Sequence, residues 1–122
     1  MATPKHVLIV EDEYLIRALL QGMIQELGYI LTASVGTLKD AQDSLSKVDF
    51  DVAIVDFYLN GQSALSVIEA LVSQERPVIV TTGGSLAGFV LPKGNPGPIL
   101  LKKPYNIEAL ADALNSVSIV KG

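Results

Sequence analysis

Short apolar runs that stop on a charged or hydroxyl residue are the feature that most narrows what this chain can fold into. Val7 to Val10 runs into Glu11-Asp12-Glu13, Val52 to Val55 into Asp56, Val78 to Val80 into Thr81-Thr82, and Ile99 to Leu101 into Lys102-Lys103-Pro104. None of these runs alternates apolar with polar residues, so each reads as a strand covered on both faces, the condition of a parallel sheet.

The intervening segments carry the helical period. Leu15, Ile16, Leu19, Leu20, Met23, Ile24 and Leu27 recur at helical spacing from Tyr14 to Leu27, and Gly28 supplies a stop. Tyr29 to Ala33 is a further strand, and Thr37 with Asp40 opens a helix that places Leu38, Ala41, Leu45 and Val48 on one face. After the turn dipeptide Asn60-Gly61, Leu65, Ile68, Leu71 and Val72 mark a third helix ending before Arg76-Pro77. Asn106 caps a last helix with Ile107, Leu110, Ala111, Leu114 and Val117.

Strands joined by amphipathic helices imply right-handed crossovers. The expectation is an α/β domain: a five-stranded parallel sheet in the order 2-1-3-4-5, doubly wound in the flavodoxin-like (βα)5 manner. One crossover breaks the pattern. Residues 83–98 hold half of the ten glycines and half of the six prolines, so the helix expected between the fourth and fifth strands is short, distorted or disordered.

Composition excludes several kinds of chemistry. A chain of 122 residues makes one domain with a core of its own. Without cysteine there is no disulfide and no thiolate-bound metal, and the single histidine, His6, cannot furnish an imidazole metal site or a Ser-His-Asp triad. The net charge of −4 and the lack of a basic cluster exclude a nucleic-acid surface. The N-terminus lacks the apolar centre of a secretory signal, and the longest uncharged stretch, Pro77 to Pro92, is too short and polar to span a membrane. A cytoplasmic protein is expected.

In doubly wound sheets ligands bind beyond the strand C-termini. There this sequence places Glu11, Asp12, Asp56, Thr82 and Lys103. Taken singly, the acidic run is an ordinary helix start, Asp56 a turn residue, Thr82 the beginning of a loop and Lys103 a surface lysine. Taken together they are a site. Three carboxylates brought close either bind protons or admit a hard cation, and Mg²⁺, which takes oxygen ligands and keeps several waters, suits them. With its charge partly neutralised, Asp56 can attack a phosphoryl donor and form an aspartyl phosphate. Lys103 would then hold one phosphoryl oxygen, and the Thr82 hydroxyl with the Gly83 amide another. Lys102, facing the opposite way on its strand, is a surface residue. Tyr58 and Tyr105 flank the site, and His6 is read as solvent-exposed and without a relay role.

These residues resemble the receiver domain of two-component response regulators through VLIVEDE (7–13), DVAIVDFYLNG (51–61), PVIVTTGG (77–84) and LLKKPYN (100–106). Each motif alone is weak, but four in order at these spacings are specific. The resemblance implies Glu11 and Asp12 as the acidic metal pair, Asp56 as phosphoacceptor and the backbone carbonyl of Tyr58 as a further Mg²⁺ ligand. Thr82 would be the switch hydroxyl and Lys103 the family's lysine, with Gly83, Leu100 and Pro104 in the switch region and a Lys103–Pro104 bond that is often cis in the family. It implies no enzyme activity beyond the domain's own phosphotransfer and autodephosphorylation.

Leu100 stands where most receivers carry an inward-turning aromatic. A single-domain subgroup that also lacks this aromatic looks similar around the Thr-Gly after the fourth strand. It would imply a sensor histidine kinase of the HWE type as partner, besides an unidentified downstream protein. Residues 1–122 are read as a single receiver domain with no output domain, only Ser118 to Gly122 following the last helix, and as a monomer or weak dimer.

Three rivals remain. Thr81-Thr82-Gly83-Gly84-Ser85 could cradle the phosphate of a flavodoxin-like cofactor, but that loop should follow the first strand, where the chain is acidic. A haloacid-dehalogenase-like phosphatase needs a second acid two residues after the nucleophile, where Tyr58 stands. A degenerate receiver acting only as a docking module is disfavoured by the intact acids.

Overall fold

The computed structural model describes residues 5–84, 86 and 88–117. In chain order the elements are β1 (His6–Val10), α1 (Tyr14–Glu26), β2 (Ile30–Val35), α2 (Leu38–Lys47), β3 (Val52–Asp56), β4 (Tyr58–Leu59), β5 (Gln62–Ser63), α3 (Leu65–Ser73), β6 (Val78–Thr82), β7 (Ile99–Lys102) and α4 (Ile107–Asn115). Five strands form one sheet in the order β2-β1-β3-β6-β7, every neighbouring pair parallel. This is the 2-1-3-4-5 order that the apolar runs imply.

The all-apolar strands split their side chains between two layers with a period of two. Leu8, Val10, Ala53, Val55, Val78 and Val80 pack with Ala41 of α2 and Val67, Ile68 and Leu71 of α3. Val7, Ile9, Val52, Ile54, Ile79 and Leu101 face the other way, onto Leu20 and Ile24 of α1 and Leu110 and Leu114 of α4. Because β1 and β3 lie inside the sheet with helices on both faces, their C-terminal ends are held rigidly, and those ends carry Glu11 and Asp56.

The helix starts follow the sequence. Thr37 Oγ1 accepts from the Asp40 amide at 3.0 Å, and Asn106 Oδ1 accepts from the Ala109 amide at 2.8 Å. The last helix ends at Asn115, earlier than the apolar period suggests, although Val117 beyond it is still buried. The second strand lies later than expected, at Ile30–Val35, with Thr32 as an extra residue where its register to β1 shifts between Val7 and Leu8.

Three features depart from the reading of the sequence. In α1, Leu15 and Leu19 belong to the apolar stripe but are 74% and 64% exposed; the sheet is too narrow to cover so wide a stripe, and only Leu20 and Ile24 are fully enclosed. Asn60-Gly61 is the tip of a small antiparallel hairpin, β4–β5, in which both turn residues have positive φ, 51° and 78°. His6 is not merely solvated: its amide donates to Asp51 Oδ2 at 2.8 Å and its ring lies beside the same carboxylate, at the sheet end opposite the acids.

The fourth crossover contains no helix among its described residues. It packs instead through single side chains, Leu86 and Leu91 against the first layer and the Phe89 ring edge-on to Phe57 at 5.3 Å. Asn95–Pro96 and Lys103–Pro104 are both cis. Ser85 of the Thr-Thr-Gly-Gly-Ser run and the tail from Ser118 lie outside the described residues. No helix among the described residues is long and apolar enough to cross a membrane.

Candidate functional site: an acidic pocket closed by one lysine

Glu11 follows β1, Asp12 begins the turn into α1, and Asp56 closes β3; carboxylate oxygens of all three lie within 4.8 Å of one another. Parallel pairing of β1 with β3, Val10 opposite Val55, sets the two strand ends side by side. Glu11 and Asp56 are buried, at 3% and 8% exposure, while Asp12 is half-buried at the rim. Lys103, just past β7, crosses above the end of β6 to reach them: Nζ donates to Glu11 Oε1 at 2.9 Å and to Asp56 Oδ2 at 3.1 Å. Its backbone amide is fixed to the Thr82 carbonyl at 2.8 Å, so the reach of the side chain is anchored in the sheet.

The electrostatics follow from this crowding. Burial pushes the Asp56 carboxyl above the usual carboxylate range, and the Lys103 charge only partly opposes it. Burial likewise raises the Glu11 carboxyl against the hydrogen bond from Lys103 and in concert with the charge of Asp56. At Asp12, partial burial is outweighed by the Asn60 amide and the hydrogen bond to Glu11, and the carboxyl titrates below its ordinary range. Lys103 is opposed by burial but held above its ordinary value by Glu11 and Asp56. One cation thus faces three carboxylates, two of them buried. This set of hard oxygen donors with a surplus of negative charge suits a small divalent cation.

The structure brings Glu11, Asp12, Asp56 and Lys103 into one pocket and sets Thr82 at the same sheet edge. The Thr82 hydroxyl is buried and turned to its own loop, donating to the Gly84 carbonyl at 3.1 Å. Tyr58 follows directly on Asp56 and Phe57, half-buried in β4. Leu100 is 47% exposed on β7, Lys102 points to solvent, and Gly83 and Pro104 border an apolar cavity of about 450 Å³ lined also by Ile16, Leu19, Met23 and Tyr105. That cavity opens beside Lys103.

Two contributors escape sequence reasoning. The Asn60 amide donates to Asp12 Oδ2 at 2.9 Å, and Arg17 Nη1 donates to the Glu11 carbonyl at 2.9 Å. The left-handed turn at Asn60-Gly61 was a legible signal for the first; nothing in the sequence distinguishes Arg17 from any solvated helix arginine.

A doubly wound sheet whose central strands end in three gathered acids, met by a lysine from its edge strand, has the architecture of a two-component receiver module. The sequence pattern of the response regulator receiver domain matches residues 7–115, and the chain belongs to that family. Among curated proteins it is 30% identical over 115 residues to the transcriptional regulatory protein PdtaR of Mycobacterium tuberculosis, covering 93% of this chain and 56% of PdtaR. The chain therefore spans only about half the length of that relative. Among solved structures it is similar to SdrG from Sphingomonas melonis Fr1, with a TM-score of 0.78 at 30% identity, covering 94% of this chain and 97% of SdrG. The receiver domain of PhyR from Erythrobacter litoralis follows at 0.77 and 25% identity, covering 98% and 96%.

Proposed function

We propose that this receiver domain is phosphorylated on Asp56 by a sensor histidine kinase, with Mg²⁺ held by Glu11, Asp12, Asp56 and the Tyr58 carbonyl. The observation that carries the reading is the position of Lys103, whose ammonium contacts Asp56 and Glu11 within a pocket of three carboxylates.

Bound Mg²⁺ would supply positive charge to the carboxylates and to the incoming phosphoryl oxygens. The Asp56 oxygen attacks phosphorus as the bond to the donor breaks; for a phosphohistidine donor that is the P–N bond, and the imidazole leaves with the electron pair. Lys103, donating to Asp56 Oδ2, keeps the carboxylate aligned and follows the charge onto the phosphoryl group. Thr82, now bonded to its own loop, is the hydroxyl in position to exchange that contact for a phosphoryl oxygen.

A donor must present its phosphoryl group where Asp56 opens to solvent. The apolar cavity beside Lys103, with exposed Tyr14, Leu15 and Leu19 on α1, offers the kinase a surface continuous with the site. The missing aromatic at Leu100 and a crossover with no helix among its described residues support a donor of the HWE type. They also direct the output through the crossover face to an unidentified protein rather than through an inward-turning ring on β7. Incubation with acetyl phosphate tests the reading: a mass gain of one phosphoryl group is expected with Mg²⁺ and none with a chelator, and labelling independent of Mg²⁺ would refute it.

A further inference from the structure

Both ligand-bearing segments of the acidic pocket lean on one residue that carries no side chain. Gly36, in the corner between β2 and α2, is approached from one side by Arg17 and from the other by Asn60. A Cβ at Gly36 would run into the Arg17 guanidinium, so the corner is shaped around that side chain. Arg17 Nη1 donates not to a carboxylate but to the backbone carbonyl of Glu11, at 2.9 Å. On the other side Asn60 Nδ2 donates to the Gly36 carbonyl at 3.4 Å, while the Asn60 amide donates to Asp12 Oδ2 at 2.9 Å. The Glu11 amide is itself bonded to the Val35 carbonyl at 3.0 Å, next to this corner.

We propose that Arg17 and Asn60 are positioning residues for the Mg²⁺ site: meeting on Gly36, they lock the Glu11–Asp12 turn to the hairpin that carries Tyr58. The inference rests on the Mg²⁺ reading above. Its logic is geometric. Glu11 and Asp12 hang from a turn between a buried strand and a helix, whereas the Tyr58 carbonyl belongs to the β4–β5 hairpin, a separate unit of the chain. An octahedral ion tolerates little error in the distance between such units. Arg17 fixes the height of the first by holding its carbonyl, and Asn60 fixes the second by holding both Gly36 and Asp12. Hydrogen-bond partners behind metal ligands typically govern affinity by about 10- to 100-fold.

The test is the Mg²⁺ dissociation constant of the full chain, measured by calorimetry, with the chemical-denaturation midpoint without Mg²⁺ recorded alongside. R17M keeps the apolar stem and removes the donors; about a tenfold weakening is expected. R17K, which restores one donor to the Glu11 carbonyl, should recover most of the affinity. N60G keeps the amide and the left-handed backbone but loses the tie to Gly36, and a smaller weakening is expected. An R17M protein that binds Mg²⁺ like wild type, however much less stable it is, overturns the proposal, and so does R17K as impaired as R17M. Should R17M not fold, unchanged affinity in N60G overturns it. A wild-type chain that fails to bind Mg²⁺ refutes the underlying reading instead, a result distinguishable because it appears before any substitution is made.

Discussion

Asp56 closes β3 and Lys103 follows β7, and although β6 runs between their strands the two side chains meet at 3.1 Å. The same ammonium also holds Glu11 at 2.9 Å, so a single cation links the buried acids of two central strands. This pairing sets the resting charge of the pocket.

Removing the cation should therefore expose the repulsion it offsets. K103M leaves Glu11 and Asp56 buried without their partner, and a loss of about 3 kcal/mol is expected at neutral pH. Chemical denaturation should show much of that loss recovered on adding Mg²⁺. A variant as stable as wild type without the ion would contradict the pairing.

The pH dependence of stability follows from the directions of the shifts. Glu11 and Asp56 titrate above their ordinary values of 4.5 and 3.8, so the folded form holds more protons than the unfolded chain in the window just above those values. Their contribution is fully present below the ordinary values and is lost as pH rises through the raised ones. Asp12, shifted down, works in the opposite sense, and its contribution is lost only in more acidic solution. In the absence of divalent ions the denaturation midpoint should fall as pH rises from about 4 toward neutrality. D56N should flatten that fall, and Mg²⁺ should reverse it. A midpoint that rises through this window without metal would show that the acids are not destabilised by their burial.

Side chains of similar chemistry should separate by location. Ile54, 1% exposed in the layer beneath α1 and α4, should cost about 3 kcal/mol when cut to alanine. L19S, at a residue 64% exposed, should stay within about 0.5 kcal/mol of wild type. It should nonetheless slow transfer from a cognate kinase while leaving labelling by acetyl phosphate unchanged. Equal kinase transfer in L19S and wild type would remove the α1 surface from the donor interface.

If Asp56 is phosphorylated as proposed, the crossover before β7 is the element expected to respond, because it is joined to Phe57, the residue after Asp56, through the Phe57–Phe89 contact and holds no helix among its described residues. Hydrogen exchange of Gly88 to Pro98 should change on adding beryllofluoride with Mg²⁺, and F89A should blunt the change. Identical protection with and without beryllofluoride would place the response elsewhere.

The sheet was legible because β1, β3 and β6 are apolar on both faces, a pattern that buried parallel strands satisfy, and because each runs into a residue of the candidate site. Thr37 and Asn106 announced their helices through side-chain oxygens, and both caps are formed. Glu11, Asp12, Asp56 and Lys103 could be grouped from topology alone. Arg17 could not, since its contact is to a backbone carbonyl, which has no sequence signature, and nothing in the sequence says that its guanidinium fills the space left by Gly36. The exposure of Leu15 and Leu19 was hidden for a related reason: periodicity reports which residues share a face, not how much of that face the sheet can cover.

Asp56 as the acceptor of the phosphoryl group can be tested directly. Wild type and D56N should be incubated side by side with acetyl phosphate and Mg²⁺, and their intact masses compared. Wild type should gain one phosphoryl group and a folded D56N none. Labelling of D56N to the wild-type extent would contradict it.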